Sequence, residues 1–501
     1  MNILTLLVLI PVLTMIGVLF TKDYKGARLA SAIGMGIELL ATVYLVLAYL
    51  AARKTGMMHE MLFTSDFMWY PRLNIHFAFG VDGIAVAMIG LTSIVIFAGI
   101  FASWELQFLT KEFFVSLILL VTAVYGFFIS LDLFTMFLFY ELALIPMYLL
   151  IGLWGTGPKE KSAMKLTLML MAGSALIMVG ILGLYYNSAP GGGPLTFNII
   201  EISKINIPVA AQRFFFPFAF VGFGILGALF PFHTWSPDGH ASAPTAVSML
   251  HAGVLMKLGG YGCFRVAMFL MPQAAQEMAW IFIILTTISV VYGAFSAIWQ
   301  NDLKFINAYS SVSHCGLVIF ALLMMNQTAM DGAILQMISH GLMTALFFAL
   351  IGMIYGRTHT RDVREMGGLM KVIPFLAVIY MIAGFASLGL PGLSGFVAEM
   401  TVFVGAFQHH DMFHRVVTVI VASSIVITAV YILRVVGLIL LGPIKDAHHE
   451  HLHDARWYEK LSTVTLVLAV AAIGIAPLWL SETIIASLKP IVTRLAMVIP
   501  F

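Results

Sequence analysis

The sequence predicts an all-α integral membrane protein with about fourteen transmembrane helices. Only 10% of its 501 residues are charged and 61% are hydrophobic, whereas soluble domains contain about 25% charged residues. Apolar runs long enough to cross a bilayer follow one another along the whole chain. Two of them, near 231–244 and 390–395, contain proline and glycine, so we expect discontinuous helices there. Such helices at membrane depth are typical of transporters.

The predicted spans are joined by short connections. The first run lacks the basic leader and small-residue cleavage site of a signal peptide, so we interpret it as a spanning helix. The tail at 481–501 carries widely spaced basic residues and is expected along the membrane interface. The predicted spans are 2–20, 28–51, 79–102, 113–130, 133–153, 164–186, 214–230, 245–271, 279–299, 303–325, 332–355, 372–408, 416–441 and 460–480.

Similar spacings predict an internal repeat. Asp132 and Asp302 open the fifth and tenth predicted helices, and a nearly equal offset separates the breaks at Pro231 and Pro391. A five-helix unit, helices 4–8, repeated as helices 9–13, fits both offsets. Because five is odd, the second unit is expected to be inverted. The predicted divisions are 1–112 for helices 1–3, 113–271 and 279–441 for the two repeats, and 442–501 for the last helix and tail.

Charge and cysteine content exclude several function classes. The net charge of +2 is too small to indicate nucleic-acid binding. Cys263 and Cys315 lie inside apolar runs, so neither a disulfide framework nor a CxxC metal site is predicted. The segment HHEHLHD at 448–454 could bind a metal, but a solvated loop is the simpler interpretation.

Lys and Arg are more frequent in loops after odd-numbered helices, which predicts that both termini lie outside the cytoplasm.

Five ionisable residues inside predicted spans are the main candidates for a site: Glu141, Lys257, His314, His340 and Glu399. An acid or base at the centre of a spanning helix costs roughly 2.5–3.5 kcal/mol, so five of them indicate a function. Histidines with polar neighbours one turn away suit a proton relay. Each residue also has a structural interpretation: a snorkelling acid at Glu141, a permanent ion pair at Lys257, and hydrogen-bonded core histidines.

Three further residues are secondary candidates. Asp82 opens the third predicted helix, where it is either an N-cap or a transport residue. Lys165 stands just inside the sixth helix and could reach the interface by snorkelling. His251 follows the first break in an otherwise apolar run, close to Lys257.

Several motifs together resemble one protein family. They are YELALIPMYLLIG, PFHTWSPDGHASAPTAVSMLHAGVLMKLGGYG, AYSSVSHCGLVIF, QMISHGLMTALFF, RTHTRDVREMGGL and LPGLSGFVAE. They are similar to the M subunit (mitochondrial subunit 4) family of respiratory complex I, the proton-pumping NADH–quinone oxidoreductase. The resemblance extends from about Gly80 to Leu440. Mrp-type cation/proton antiporter subunits and membrane-hydrogenase subunits share parts of it.

The resemblance implies an antiporter-like module that translocates protons while quinone is reduced elsewhere in the complex. It matches Glu141, Lys257, His314, His340 and Glu399 to the family's fifth-helix glutamate, eighth-helix lysine, two central histidines and twelfth-helix glutamate. It implies a bacterial inner (plasma) membrane, with lipid and other membrane-arm subunits as partners, neighbouring antiporter-like subunits above all. It implies no cofactor in this chain, because FMN, iron–sulfur clusters and quinone belong to other subunits.

One position departs from the family pattern. The family usually has a lysine in the seventh helix, about five residues before Pro-Phe-His, where this chain has Leu226. Glu141 therefore lacks its expected partner, which Lys257 or Lys165 could replace through water. Three hypotheses remain. The chain is a proton-translocating subunit of a complex I-type enzyme, an Mrp-type cation/proton antiporter subunit, or a structural spacer of the membrane arm that does not pump.

Overall fold

The computed structural model describes residues 2–56, 61–105 and 109–496. The described residues contain eleven helices that are long and apolar enough to span a membrane. Shorter apolar helices lie at Ile3–Leu19, Pro374–Ser387 and Ser394–Ala406. The all-α membrane class predicted from the sequence is confirmed, and the total of fourteen crossings stays a prediction.

The helices in chain order are α1 (Ile3–Leu19), α2 (Tyr24–Lys54), α3 (Gly83–Ala102), α4 (Lys111–Ile129), α5 (Leu133–Trp154), α6 (Lys159–Tyr186), α7 (Ile199–Ser203), α8 (Val209–Leu226), α9 (Trp235–Ser242), α10 (Thr245–Leu250), α11 (Met256–Gly262), α12 (Pro272–Trp299), α13 (Leu303–Leu323), α14 (Gln327–Thr358), α15 (Pro374–Ser387), α16 (Ser394–Ala406), α17 (Met412–Ala422), α18 (Ser424–Leu440), α19 (Trp457–Ile475) and α20 (Leu478–Ala496). Two π-helical turns, His251–Leu255 and Cys263–Met268, flank α11.

Short polar residues begin many of these helices. Their side-chain oxygens accept hydrogen bonds from backbone N–H groups of the first turn, which otherwise have no partner inside the helix. These N-caps are Asn2, Asp23, Asp82, Asp132, Asn198, Asp302, Asn326 and Asp411.

A β-hairpin between α2 and α3 was not predicted. Strand β1 (Leu62–Tyr70) pairs with antiparallel β2 (Ile75–Val81), and Asn74 takes a left-handed conformation in the turn. The predicted third span began at residue 79, and this boundary is wrong. Strand β2 continues to Val81, so α3 begins only at Gly83.

The predicted breaks are both present. Helix α8 ends at Leu226 and α9 begins at Trp235; Ala243 and Pro244 then separate α9 from α10. The second break separates α15, which ends at Ser387, from α16. Proline and glycine account for both interruptions, because neither favours a continuous helix.

Helices α5 and α13 begin with the same local structure. Asp132 accepts hydrogen bonds from the N–H groups two and three positions ahead, and Asp302 does the same. Each aspartate also forms an isolated antiparallel bridge, to Asn198 and Asp362 respectively. This likeness supports the predicted repeat, whose boundaries stay a prediction.

Helices α13 and α14 occupy the centre of the fold. In each, 94% of the most apolar 18-residue window is buried, and α14 packs against α3, α10, α13, α15, α16, α19 and α20. The predicted interfacial tail is mainly α20, which packs against α3 and α14; residues 497–501 lie outside the described residues. Buried helices with few polar residues make every ionisable side chain among them conspicuous.

Candidate functional site

Lys257 lies on α11, between the two π-helical turns. A π turn contains one extra residue per turn and is frequent at functional sites. Gly253, in the first of these turns, packs so closely on α14 that a Cβ atom there would lie 3.0 Å from the carbonyl oxygen of Gly341. This close approach lets the Lys257 side chain reach α14.

The Lys257 amine contacts a histidine of α14. Its Nζ lies 2.7 Å from Nδ1 of His340 and also donates to the carbonyl oxygen of Ala252. The Lys257 side chain is buried, and no carboxylate of the described residues pairs with it. A buried ammonium group without a counter-ion is costly, and the nearest group that can accept its proton is the imidazole of His340.

Two more predicted residues, His314 and Glu399, continue from this contact. The rings of His340 and His314 are stacked with centroids 5.1 Å apart. His314 Nδ1 lies 3.6 Å from Oε1 of Glu399 and 3.1 Å from Nε2 of Gln336. All these side chains are buried. The structure therefore brings Lys257, His340, His314 and Glu399 into one line, which we call the central line.

Glu141 does not belong to the central line. It is half-buried on the outer face of α5, beside the exposed Leu138 and Ile145. Within the described ranges it has neither an ion pair nor a side-chain hydrogen bond. Leu226 is buried at the end of α8. Lys257 lies on the central line and Lys165 pairs with Asp238 at 2.7 Å. Neither of these two bases, which were expected to serve Glu141, therefore contacts it directly.

Asp82 has a structural role. Its Oδ1 accepts a hydrogen bond from the N–H of Ala85 at 2.9 Å, and its Oδ2 pairs with Arg265, which lies in the second π turn. Both side chains are almost completely buried. Of the two roles left open by the sequence, the geometry shows the N-cap.

A second buried cluster was largely missed by sequence reasoning. His240 and His251 lie with ring centroids 4.3 Å apart, and the Trp235 ring stacks on His251 at 5.2 Å. Lys304 is buried beside them in sequence-distant α13 and donates to the carbonyl oxygen of Ala243 at 2.6 Å. We call His240, His251 and Lys304 the histidine–lysine cluster.

Its members had weak sequence signals. His251 was noted, but His240 lies within a proline-broken segment and Lys304 follows a cap, where a lysine usually reaches the interface. The signal that could have identified the cluster is that His240 and His251 lie on either side of Pro244, at the end of the first predicted break. Ala252, the neighbour of His251, supplies the carbonyl oxygen that Lys257 contacts, so this cluster adjoins the central line.

A cavity of about 170 Å³ with several polar residues in its wall opens near the histidine–lysine cluster. Its wall includes Asp238, Ser242 and Arg361. Ser242 donates a hydrogen bond to Ser162 at 2.8 Å, and Arg361 pairs with Asp302 at 3.0 Å. Ala241 and Phe305 of this wall are the sequence neighbours of His240 and Lys304, so the cavity adjoins the histidine–lysine cluster.

Comparison with known proteins gives consistent matches. A family model described as NADH:quinone oxidoreductase/Mrp antiporter, TM, matches residues 130–428. The chain is 33% identical over 482 residues to NADH-quinone oxidoreductase subunit M of Rickettsia prowazekii (strain Madrid E), covering 95% of each chain. It is 34% identical over 444 residues to NAD(P)H-quinone oxidoreductase chain 4-2 of Synechocystis sp. (strain ATCC 27184 / PCC 6803 / Kazusa), covering 88% of this chain and 78% of the relative.

Two solved structures share the fold. A chain of respiratory complex I from Thermus thermophilus with bound NADH matches with a TM-score of 0.89 at 24% identity, covering 98% of this chain and 99% of that one. A chain of the Mrp complex from Dietzia sp. DQ12-45-1b matches with a TM-score of 0.84 at 18% identity, covering 99% of both. At such identities the likeness concerns the fold.

Proposed function

Since this chain belongs to the NADH:quinone oxidoreductase/Mrp antiporter transmembrane family, we propose that it translocates protons along the central line. It is an antiporter-like membrane subunit of the type that its relatives' names call NADH-quinone oxidoreductase subunit M or chain 4. It is a multi-pass protein of a respiratory complex, its partners are other membrane-arm subunits, and the redox cofactors reside in other subunits of the complex. Translocation is therefore the part of the reaction left to this chain.

The contact of 2.7 Å between Lys257 and His340 carries the proposal. A charged Lys257 transfers one proton from Nζ to Nδ1 of the neutral His340, which leaves a neutral amine and a charged imidazole. Buried charges of this kind are unstable without a partner, so the proton passes on to His314 and then to Glu399. The stacked rings and the 3.6 Å approach of Glu399 leave gaps that one water molecule or a small side-chain movement closes.

Leu226 does not close this route, because protons enter by another side. We assign entry to the cavity at Asp238 and to the histidine–lysine cluster, which adjoins Lys257 through the carbonyl oxygen of Ala252. The cavity wall also holds Lys161 and Arg361, and such basic residues favour the cytoplasmic side. This entry side fits the predicted placement of both termini outside the cytoplasm, in the plasma membrane of a bacterium.

Glu141 then acts at the edge of the subunit. Its half-buried position on the outer face of α5 suits a contact with a neighbouring subunit, whose base could serve as its partner. The competing hypothesis is a spacer that does not pump, and the buried Leu226 favours it. The third hypothesis, an Mrp-type cation/proton antiporter subunit, is compatible with the fold that this chain shares with a chain of the Mrp complex.

The test measures the proton-to-electron ratio of the intact complex in sealed vesicles. Lys257→Ala removes the central amine and is expected to lower the ratio while NADH oxidation continues. Lys204→Ala, at an exposed lysine, is the matched control and is expected to leave the ratio unchanged. If Lys257→Ala changes nothing while Leu226→Lys raises the ratio, the chain is a silent spacer and the proposal is wrong.

A further inference from the structure

Two histidines and an aspartate meet where α16 ends and α17 begins, away from the central line. His409, Asp411 and His414 each offer a ligand atom, and these atoms all lie within 4.8 Å of one another. We propose that these three residues bind a divalent transition-metal ion, which restrains the helices that carry the proton path. We call them the α16–α17 cluster.

The geometry of the cluster is compact. The imidazole rings of His409 and His414 are stacked with centroids 4.2 Å apart and 15° between their planes. Nδ1 of His414 lies 2.8 Å from both carboxylate oxygens of Asp411. The side chains of His414 and Asp411 are 22% and 52% exposed, so an ion can reach them from outside the membrane.

His409 is held as metal-binding histidines usually are. Its Nε2 lies 2.8 Å from the carbonyl oxygen of Met324. Nε2 also lies 3.3 Å from Nδ2 of Asn326, but the shorter contact is to a carbonyl oxygen, which can only accept. Nε2 therefore carries the proton and Nδ1 keeps its lone pair. Histidine ligands of metals commonly donate their other N–H to a carbonyl group, which fixes the tautomer and the ring orientation.

Asp411 can bind a metal without giving up its place in the fold. It caps α17 by accepting a hydrogen bond from the N–H of His414 at 3.0 Å. A carboxylate has about four lone-pair sites, so one oxygen stays available after capping. Besides this cap contact, a ring nitrogen of His414 and one of His409 lie within 4.8 Å of a carboxylate oxygen of Asp411.

The donor set identifies the class of ion. Two imidazoles and one carboxylate suit Zn²⁺ and related first-row divalent ions, whereas Mg²⁺ and Ca²⁺ prefer oxygen ligands alone. Metal–ligand bonds of roughly 2.0–2.2 Å in a tetrahedron place the ligand atoms about 3.4 Å apart. His414 and Asp411, now 2.8 Å apart, must therefore separate slightly, while the longer separations, at most 4.8 Å, must shorten, and side-chain rotation can supply both changes. Three protein ligands leave one tetrahedral position for water.

The cluster is tied to the helices of the central line. The same His409 contact joins it to the connection between α13 and α14, and Asn326 of that connection donates to the carbonyl oxygen of Gly405 at 2.8 Å. Helices α13, α14 and α16 carry His314, His340 and Glu399. A bound ion would therefore restrain three helices at once and slow any movement that accompanies proton transfer. This consequence rests on the proposed function; the binding itself does not.

The first measurement is metal content and affinity. The purified complex is stripped with a chelator and titrated with Zn²⁺ in equilibrium dialysis. Asp411→Asn is the sharpest variant, because asparagine caps a helix as well as aspartate does but binds metal poorly. We expect Asp411→Asn and His414→Ala each to weaken one Zn²⁺ site by at least about tenfold. His359→Asn, at an exposed histidine outside both this cluster and the HHEHLHD segment, is the matched control. Unchanged affinity in both cluster variants would overturn the site.

The second measurement separates binding from its consequence. Sealed vesicles that expose the α16–α17 side are assayed for the proton-to-electron ratio with and without Zn²⁺. We expect Zn²⁺ to lower the ratio in the native complex and to do so at least tenfold less potently in Asp411→Asn. If the site binds Zn²⁺ while the ratio stays constant, the restraint of the helices is refuted. If Lys257→Ala also leaves the ratio unchanged, the proposed function fails and the metal site stands alone.

Discussion

Lys257 and His340 are 83 positions apart in the chain, yet their side-chain nitrogens lie 2.7 Å from each other. The lysine belongs to the first predicted five-helix unit and the histidine to the second. In the predicted division, the central line passes from the first unit to the second, so a movement between these units would change the distance over which a proton must move.

Replacing His340 tests this contact from its other end. We expect His340→Ala to lower the proton-to-electron ratio of the complex in sealed vesicles as much as Lys257→Ala does, because either change removes the same transfer step. The double variant should be no worse than either single one, as residues acting in one step are not additive. A native ratio in His340→Ala would contradict the assignment of this histidine.

The buried pair of Asp82 and Arg265 is expected to hold the fold rather than conduct protons. Asp82→Asn keeps the N-cap but leaves Arg265 buried without a counter-ion, which costs about 3–5 kcal/mol in comparable pairs. The measurement is the temperature at which this subunit leaves the detergent-solubilised complex. Arg213→Gln breaks an exposed pair with Glu277 and should leave that temperature unchanged. A normal temperature for Asp82→Asn together with a lower proton-to-electron ratio would instead make Asp82 a transport residue.

The central line was predictable because its residues violate a simple local rule. A charge or imidazole within an apolar run is visible in the sequence, and proline with glycine marks both breaks. The fold class, the breaks and the grouping of Lys257 with His314, His340 and Glu399 follow from such signals.

Other features depend on tertiary packing that no local pattern encodes. Lys304 resembles an interfacial lysine until α13 packs against α9 and buries it. Arg265 gains its meaning only when Asp82, far away in the chain, pairs with it. Glu141 was expected inside the module because its sequence neighbours are apolar, but apolar neighbours also line the outer face of a membrane helix. Strand β1 lies between two predicted spans, in a stretch for which no element was predicted.

Glu38 is a buried carboxyl group outside the central line. Its side chain is fully buried on α2, and neither carboxylate oxygen has a hydrogen-bond partner among the described residues. An unsatisfied buried polar group costs about 1–3 kcal/mol, so we expect Glu38→Leu to raise the temperature at which the subunit leaves the complex. Glu160→Leu, at an exposed glutamate, is the control and should not raise it. A lower temperature in Glu38→Leu would contradict the expectation.

Asp132 makes stability depend on pH. Burial raises the pKa of Asp132 from 3.8 to about 6, although N–H groups of Thr135, His76 and Phe134 bond to its carboxylate. The pKa of Asp132 is higher in the folded state than in the unfolded state, so the folded state binds the proton more tightly. The resulting contribution to the free energy of unfolding is fully present below pH 3.8 and is lost as pH rises through about 6. Native subunit should therefore lose stability between pH 5 and 7, and Asp132→Asn, which keeps the cap, should lose less.

The control for this pH dependence is Asp362. A hydrogen bond from Arg364 lowers the pKa of Asp362 to about 2, so this aspartate is ionised in both states between pH 5 and 7. Thermal release of the subunit at the two pH values is the measurement. Asp362→Asn should shift release equally at both. An unchanged pH dependence in Asp132→Asn would refute the assigned pKa.

The direction in which the Lys257 side chain points depends on the one extra residue in the π-helical turn before it. Each residue of an α-helix advances about 100° around the axis, and the π turn at His251–Leu255 accommodates one residue more than an α-helical turn does. Deleting Gly253 would restore regular winding and swing Lys257 about 100° away from His340, with composition and length almost unchanged. A pumping subunit and an inert one would therefore differ by a single in-frame codon deletion. Two homologues with nearly identical sequences would then differ in activity.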